Sequence, residues 1–157
     1  MTEDEEIRFL TLGAQREGNR VLSAALQPLG LTPAQAEVIS CLDLAGEASL
    51  KALGGLLVCE NGSPSRLVDG LVSRKIVARR ENPKDRRQAT LRLTAEGKRL
   101  LAGICAVEAE FYRGIRRNLA PDDAARLIGQ LSEFLADTPS GQAIARRKAL
   151  AAAKARS

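Results

Sequence analysis

The chain contains no histidine and no tryptophan, and only 3% of its 157 residues are aromatic. Without histidine there is no imidazole general base and no imidazole metal ligand. Cysteine is sparse: Cys41, Cys59 and Cys105 are far apart and odd in number, which excludes a CxxC site and a complete disulfide framework and suits a reducing cytoplasm. No apolar run approaches the ~18 residues that cross a bilayer, so no membrane partner is expected. The opening MTEDEEIRF is acidic where a signal peptide is basic, so a cytoplasmic location without a secretory leader is expected. Gly54-Gly55 and Gly62 fit no glycine-rich phosphate loop. Together these absences set an enzyme aside, and neither a cofactor nor a metal is expected.

What is present is an apolar content of 45%, enough for a core in one domain spanning residues 1–157, and a net charge of +5 that is unevenly spread. Residues 1–61 carry four Lys/Arg against nine Asp/Glu, whereas residues 62–99 carry eleven against four. A block of +7 in 38 residues repels itself and usually faces a polyanion.

The order of elements says how that block is displayed. Residues 5–28 read as a helix stopped by Gly30. Thr32, Pro33 and Gln35 form a capping box for a second helix that buries Val38, Ile39 and Leu42 and ends at Gly46. Ser49 caps a short helix, LKALGGLL. Ser63 and Pro64 open a further one whose apolar stripe, Leu67, Val68, Leu71 and Val72, leaves Ser65, Arg66, Asp69, Ser73 and Arg74 facing outward. IVARR and ATLRLT then alternate as two short strands. The residues between them, 81–88, are too many for a tight hairpin turn, so a projecting loop is expected. Thr94 caps a long helix whose Leu100, Ile104, Val107, Phe111 and Ile115 approach a coiled-coil seam. A helix begun by Asp122 and Asp123 should bury Leu127, Leu131, Phe134 and Leu135. The tail over 140–157 is Ala-rich and basic, and is expected as a frayed helix or disorder.

Short helix, turn, amphipathic helix and two-stranded ribbon make a winged helix-turn-helix pattern. The fold class expected is mainly α with a small antiparallel β wing, in which 32–94 form the winged unit. In such a unit the second helix enters the major groove with its first residues nearest base edges. Ser65 and Arg66 lie there, and arginine reads guanine O6 and N7 bidentately. Ser63 and the first N–H groups of that helix suit a phosphate. Lys84, Asp85, Arg86 and Arg87 crowd the wing tip, where an arginine is favoured by the minor groove's concentrated negative potential and Asp85 can aim it. Arg74, Arg79 and Arg80 are divided between phosphate contact and plain solvation.

The segments LTPAQAEVISCL and SRLVDGLVSRKIVARRENPKDRRQATLRLTAEGKRL, with their flanking helices, resemble the MarR family of bacterial transcription regulators over about residues 5–137. The most specific part is D-x-R followed by L-x-L-T-x-x-G, met by Asp85, Arg87, Leu91, Leu93, Thr94 and Gly97. The resemblance implies a triangular homodimer built by helices over 5–30 and 95–137. It places Ser63, Ser65 and Arg66 toward the groove and Arg87 at the wing tip, on double-stranded DNA carrying a pseudo-palindromic operator. Members commonly repress transcription, and many release DNA when a small phenolic or anionic effector binds between the dimer region and the winged unit. For that pocket Arg16, Arg20, Phe111, Tyr112 and Arg116 are the candidates here.

Three departures from the family pattern stand out: Lys75 where glycine usually ends the recognition helix, Gly70 where a long side chain is common, and Val58 for a glycine in the turn. Lys75 must then be left-handed, or the helix must end differently, at about 1 kcal/mol. Cys41 and Cys105 read as small core residues. Cys59, in a turn beside Glu60, is the one candidate redox switch, although its acidic neighbour disfavours the thiolate. Besides a repressor, two alternatives stay open: a non-specific architectural DNA-binding protein and a cysteine redox-responsive repressor.

Overall fold

A computed structural model describes residues 1–58, 63–82 and 85–156, with the backbone alone at 81, 82 and 85–88. Helix α1 (Glu3–Leu26) begins with a capping box between Thr2 and Glu5 and ends in a 3-10 turn, Gln27–Leu29, closed by left-handed Gly30. Helix α2 (Pro33–Ala45) starts on the box that its sequence announces: the Thr32 hydroxyl accepts from Gln35 N at 3.2 Å and Gln35 Oε1 accepts from Thr32 N at 3.0 Å. It is followed by strand β1 (Glu47–Ser49) and by helix α3 (Leu50–Gly54), which Ser49 caps. Helix α4 (Pro64–Ser73) precedes strands β2 (Val77–Asn82) and β3 (Asp85–Leu93), and helices α5 (Ala95–Arg117), α6 (Pro121–Phe134) and α7 (Pro139–Lys154) complete the chain.

Leu26, Val38, Ile39, Leu42, Leu53, Val68, Leu71, Ile76, Val77, Leu91 and Ile104 are almost wholly buried. The core therefore sits where α2, α3, α4 and the sheet meet the end of α1 and the first half of α5. This is a winged helix-turn-helix against a helical region, as the sequence predicts. Burial at i, i+3 on α4 (Val68, Leu71) fixes which face of that helix is spent on packing and which remains for other work.

The wing differs from expectation in two ways. It has three antiparallel strands in the order β1-β3-β2, because Glu47, Ala48 and Ser49 pair with Arg92, Leu91 and Thr90. The two long strands also run past their alternating cores, so that Asn82 pairs with Asp85 and only residues 83 and 84 stand between β2 and β3, in place of the longer projecting loop that the sequence predicts. Backbone pairing continues through charged positions that periodicity alone reads as loop.

The tail is the larger correction. Instead of fraying, α7 is a regular helix capped by Thr138, whose hydroxyl accepts from Gly141 N at 3.1 Å. Alanine is the strongest helix former, so an Ala-rich stretch needs few anchors to stay wound. It has Ala143 buried, Leu150 against the core cluster, and three cations reaching back to the winged unit. Lys154 Nζ contacts Asp43 Oδ2 at 2.9 Å, Arg146 Nη1 donates to Gly55 O at 3.0 Å, and Arg147 Nε donates to Leu56 O at 2.6 Å. Two further expectations of burial fail within the single chain: Leu127, Leu131 and Phe134 of α6 are exposed, and so is Cys105.

The junction of wing and long helix explains the L-x-L-T-x-x-G spacing. Thr94 caps α5 by accepting from Gly97 N at 3.1 Å, and its hydroxyl lies 2.7 Å from Lys75 O and 3.0 Å from Ile76 O. A Cβ on Gly97 would stand 2.4 Å from Ile76 O. Only glycine lets α5 start this close to the strand that opens the wing.

Candidate nucleic-acid interface

Helix α4 presents the residues that its stripe predicts. Ser63 takes the extended N-cap conformation ahead of Pro64, although its hydroxyl makes no capping bond, and Arg66 is exposed with no acidic partner among the described residues. Ser65 is half-buried and turned along the helix, its hydroxyl 3.4 Å from Asp69 Oδ2. The other Asp69 oxygen accepts from Arg79 Nη2 of β2 at 2.8 Å. An exposed pair of this kind adds little stability, but it fixes the wing's first strand against the helix face. Arg79, divided at the outset between phosphate and solvent, is thereby paired with an acid.

Arg74 is engaged as well: its Nη1 donates to Gly30 O at 3.0 Å, tying the end of α4 to the start of α2. Lys75, next in the chain, has φ 58° and is the one non-glycine residue with a left-handed backbone among those described. The helix does end on a strained lysine, as the missing glycine requires. On β3, Asp85, Arg86 and Arg87 occupy the first three strand positions, with their side chains outside the described residues. Lys84 and Cys59 lie outside the described residues altogether.

A cleft of about 780 Å³ lies between α1, α2, α5 and α7. Phe111 and Tyr112 line it, their rings 5.9 Å apart edge-on, whereas Arg16, Arg20 and Arg116 do not. Arg20 instead pairs with Glu17 at 2.7 Å. The charged groups in the lining are Glu37, Glu108 and Arg147. Arg147 Nη2 forms an ion pair with Glu37 Oε1, which also accepts from Val58 N at 2.9 Å. The Glu37 side chain is only 12% exposed and that of Arg147 30%, so this pair is shielded as the surface pairs are not. Burial pushes the Glu108 carboxyl above the usual range, with Arg147 opposing, and burial also raises the Tyr112 hydroxyl, helped by Glu108. Cys41, buried on α2, is pushed up to about 11 by burial, against the pull of Arg147. That thiol is inert at neutral pH.

Sequence reasoning missed the Asp69–Arg79 brace and the Glu37–Arg147 pair. The Ser65–Asp69 spacing of four could have pointed to the first; partners 110 residues apart leave no local signal. Among the described residues, no cluster of three or more potential metal ligands occurs, and no helix is long and apolar enough to cross a membrane.

A sequence model of the MarR family matches residues 31–89. The multiple antibiotic resistance protein MarR of Escherichia coli is 31% identical over 122 residues, covering 74% of this chain and 82% of that protein. The regulator MhqR of Bacillus subtilis is 30% identical over 105 residues, covering 66% and 72%. Among solved structures, a mutant E. coli MarR complexed with operator DNA superposes with a TM-score of 0.76 at 27% identity, covering 86% of this chain and 99% of that one.

Proposed function

Because the chain belongs to the MarR family of DNA-binding transcription regulators, we propose that it works as a homodimer, binds a pseudo-palindromic operator, represses transcription and is released by a small molecule held in the α1–α2–α5–α7 cleft. The single observation that carries the DNA reading is the exposed face of α4, where Arg66 stands unpaired by any described acid beside a wing strand braced through Asp69 and Arg79. In this reading Arg66 addresses base edges, Ser63 and Ser65 the adjoining backbone, and Lys84, Arg86 and Arg87 the neighbouring groove, with Asp85 orienting them. Arg74 serves the helix end through Gly30. No catalytic step is part of it.

The dimer is supported by apolar side chains without cover: Ile7 (65% exposed), Leu10, Ile128 (59%) and Phe134 (81%) on α1 and α6. Exposure of several large apolar groups on two helices is unusual for a monomer. Two-fold symmetry then places half-sites one helical turn apart, roughly 34–36 Å. The cleft's size lies within the usual range of small-molecule sites, roughly 300–1,000 Å³.

The test is an anisotropy titration with the DNA upstream of the protein's own gene, competed by random duplex and repeated across salt. Sequence readout predicts that random duplex competes poorly and that affinity falls with salt at a log–log slope near −0.9 per phosphate neutralised. Equal competition by random DNA would reduce the protein to an architectural binder.

A further inference from the structure

The charge balance of the cleft says what chemistry it selects. Its lining holds two carboxylates, Glu37 and Glu108, against one guanidinium, Arg147. That guanidinium is already committed, its Nε to Leu56 O and its Nη2 to Glu37. An anion entering the cleft would compete with Glu37 for that guanidinium, beside a second carboxylate. Removing one partner of a shielded pair is strongly unfavourable, so the cleft resists an acidic guest. Glu108 is different: it makes no hydrogen bond or ion pair with any described residue, and it shares the lining with the rings of Phe111 and Tyr112. A half-buried carboxylate sharing a cleft with two aromatic rings is an arrangement that can hold an ammonium group.

We infer that the effector of this regulator is an organic cation of about aromatic-amine size, its ammonium against Glu108 and its apolar body along Phe111, Tyr112 and Leu22. This rests on the reading of the cleft as the effector site and departs from the phenolic or anionic ligand that family resemblance implies. The cleft is also wired to the DNA-reading end. Glu37 holds Val58 N and Arg147 holds Leu56 O, and these lie on the chain leading into α4. A guest that shifts α5 or α7 against α2 strains those two contacts, and with them the entry to the recognition helix.

The experiment compares two probes of similar size on the full-length protein by titration calorimetry: benzyltrimethylammonium and salicylate. The expected result is at least tenfold tighter binding of the ammonium, and at least a fivefold loss of that affinity in Glu108→Gln, which should bind DNA like the parent when no probe is present. Tighter binding of salicylate, no binding of the ammonium, or an ammonium affinity indifferent to Glu108→Gln would overturn the inference. DNA anisotropy with each probe separates the two readings. Release by salicylate alone keeps the effector cleft and refutes the cation. Ammonium binding that depends on Glu108 but leaves DNA affinity untouched keeps the cation site and refutes its role as effector.

Discussion

Gly97→Ala and Gly70→Ala are the same chemical change in two helices, and the structure gives them opposite signs. In a helix interior alanine is favoured over glycine by about 1 kcal/mol. At Gly70 nothing lies within 4 Å of the added Cβ, so that gain stands alone. At Gly97 the Cβ would sit 2.4 Å from Ile76 O and 3.2 Å from Leu93 Cδ2. Relief requires the start of α5 to withdraw by about 1 Å from a carbonyl that accepts from Thr94 N at 3.1 Å and lies 3.0 Å from the Thr94 hydroxyl. Weakening those bonds costs about 1 kcal/mol each, and overpacking adds roughly 1–3 kcal/mol. The penalty exceeds the propensity gain and leaves a net loss of about 2–4 kcal/mol. For a chain of this length that is a fall in melting temperature of about 4–16 °C, against a rise of about 2–4 °C for Gly70→Ala. Circular dichroism melts at one matched protein concentration read both. A Gly97→Ala protein that melts at or above the parent would refute the account of the wing–helix junction.

Three further outcomes follow from the same geometry. Lys75→Gly removes a left-handed lysine and should raise the melting temperature by about 2–4 °C, for roughly 1 kcal/mol of relieved strain; an unchanged melt would mean that the backbone there is not strained. Asp69→Ala breaks an exposed pair and should alter stability by less than about 1 kcal/mol. It should nonetheless narrow the ratio of operator to random-duplex affinity, measured as two dissociation constants, because the wing's first strand loses its brace. Cys41 has its thiol raised from 9.0 to about 11 in the folded chain, so the unfolded chain loses its proton first. The resulting stability, on the order of 2–3 kcal/mol, is intact below pH 9 and drains away as pH rises through 11. Urea titrations of Cys41→Ala should show a shallower decline across that window than the parent.

Much of the fold was legible because its signals are local. Thr32-Pro33-Gln35, Ser49 and Thr94 each announce a helix start through side-chain oxygens satisfying N–H groups two or three residues on, and each does so in the structure. The α4 stripe likewise fixed Arg66 outward. Periodicity stopped short at the wing, since Asn82 and Asp85 pair through backbone groups that every residue carries. Composition is misleading at the tail, where a basic, Ala-rich stretch predicts a frayed helix or disorder and α7 is regular. What holds α7 is a set of acceptors, Glu37, Asp43 and the carbonyls of Gly55 and Leu56, about a hundred residues upstream. For the cleft, Phe111 and Tyr112 are in the lining, whereas the arginines of α1 and the end of α5 are not. The arginine that does line it belongs to the tail, and is already neutralised.

Helix α6 has no buried residue anywhere along Pro121–Phe134, and its N-cap, Ala120, offers no side-chain bond. Fourteen residues standing on nothing are marginal as a helix in water. In the proposed dimer the second chain supplies their support, so this segment's winding tracks how much of the protein a cell contains. Scarce regulator would carry a slack tether between two anchored ends, and abundant regulator a stiff strut. The protein's own dosage then becomes an input to its shape, before any effector or operator is met.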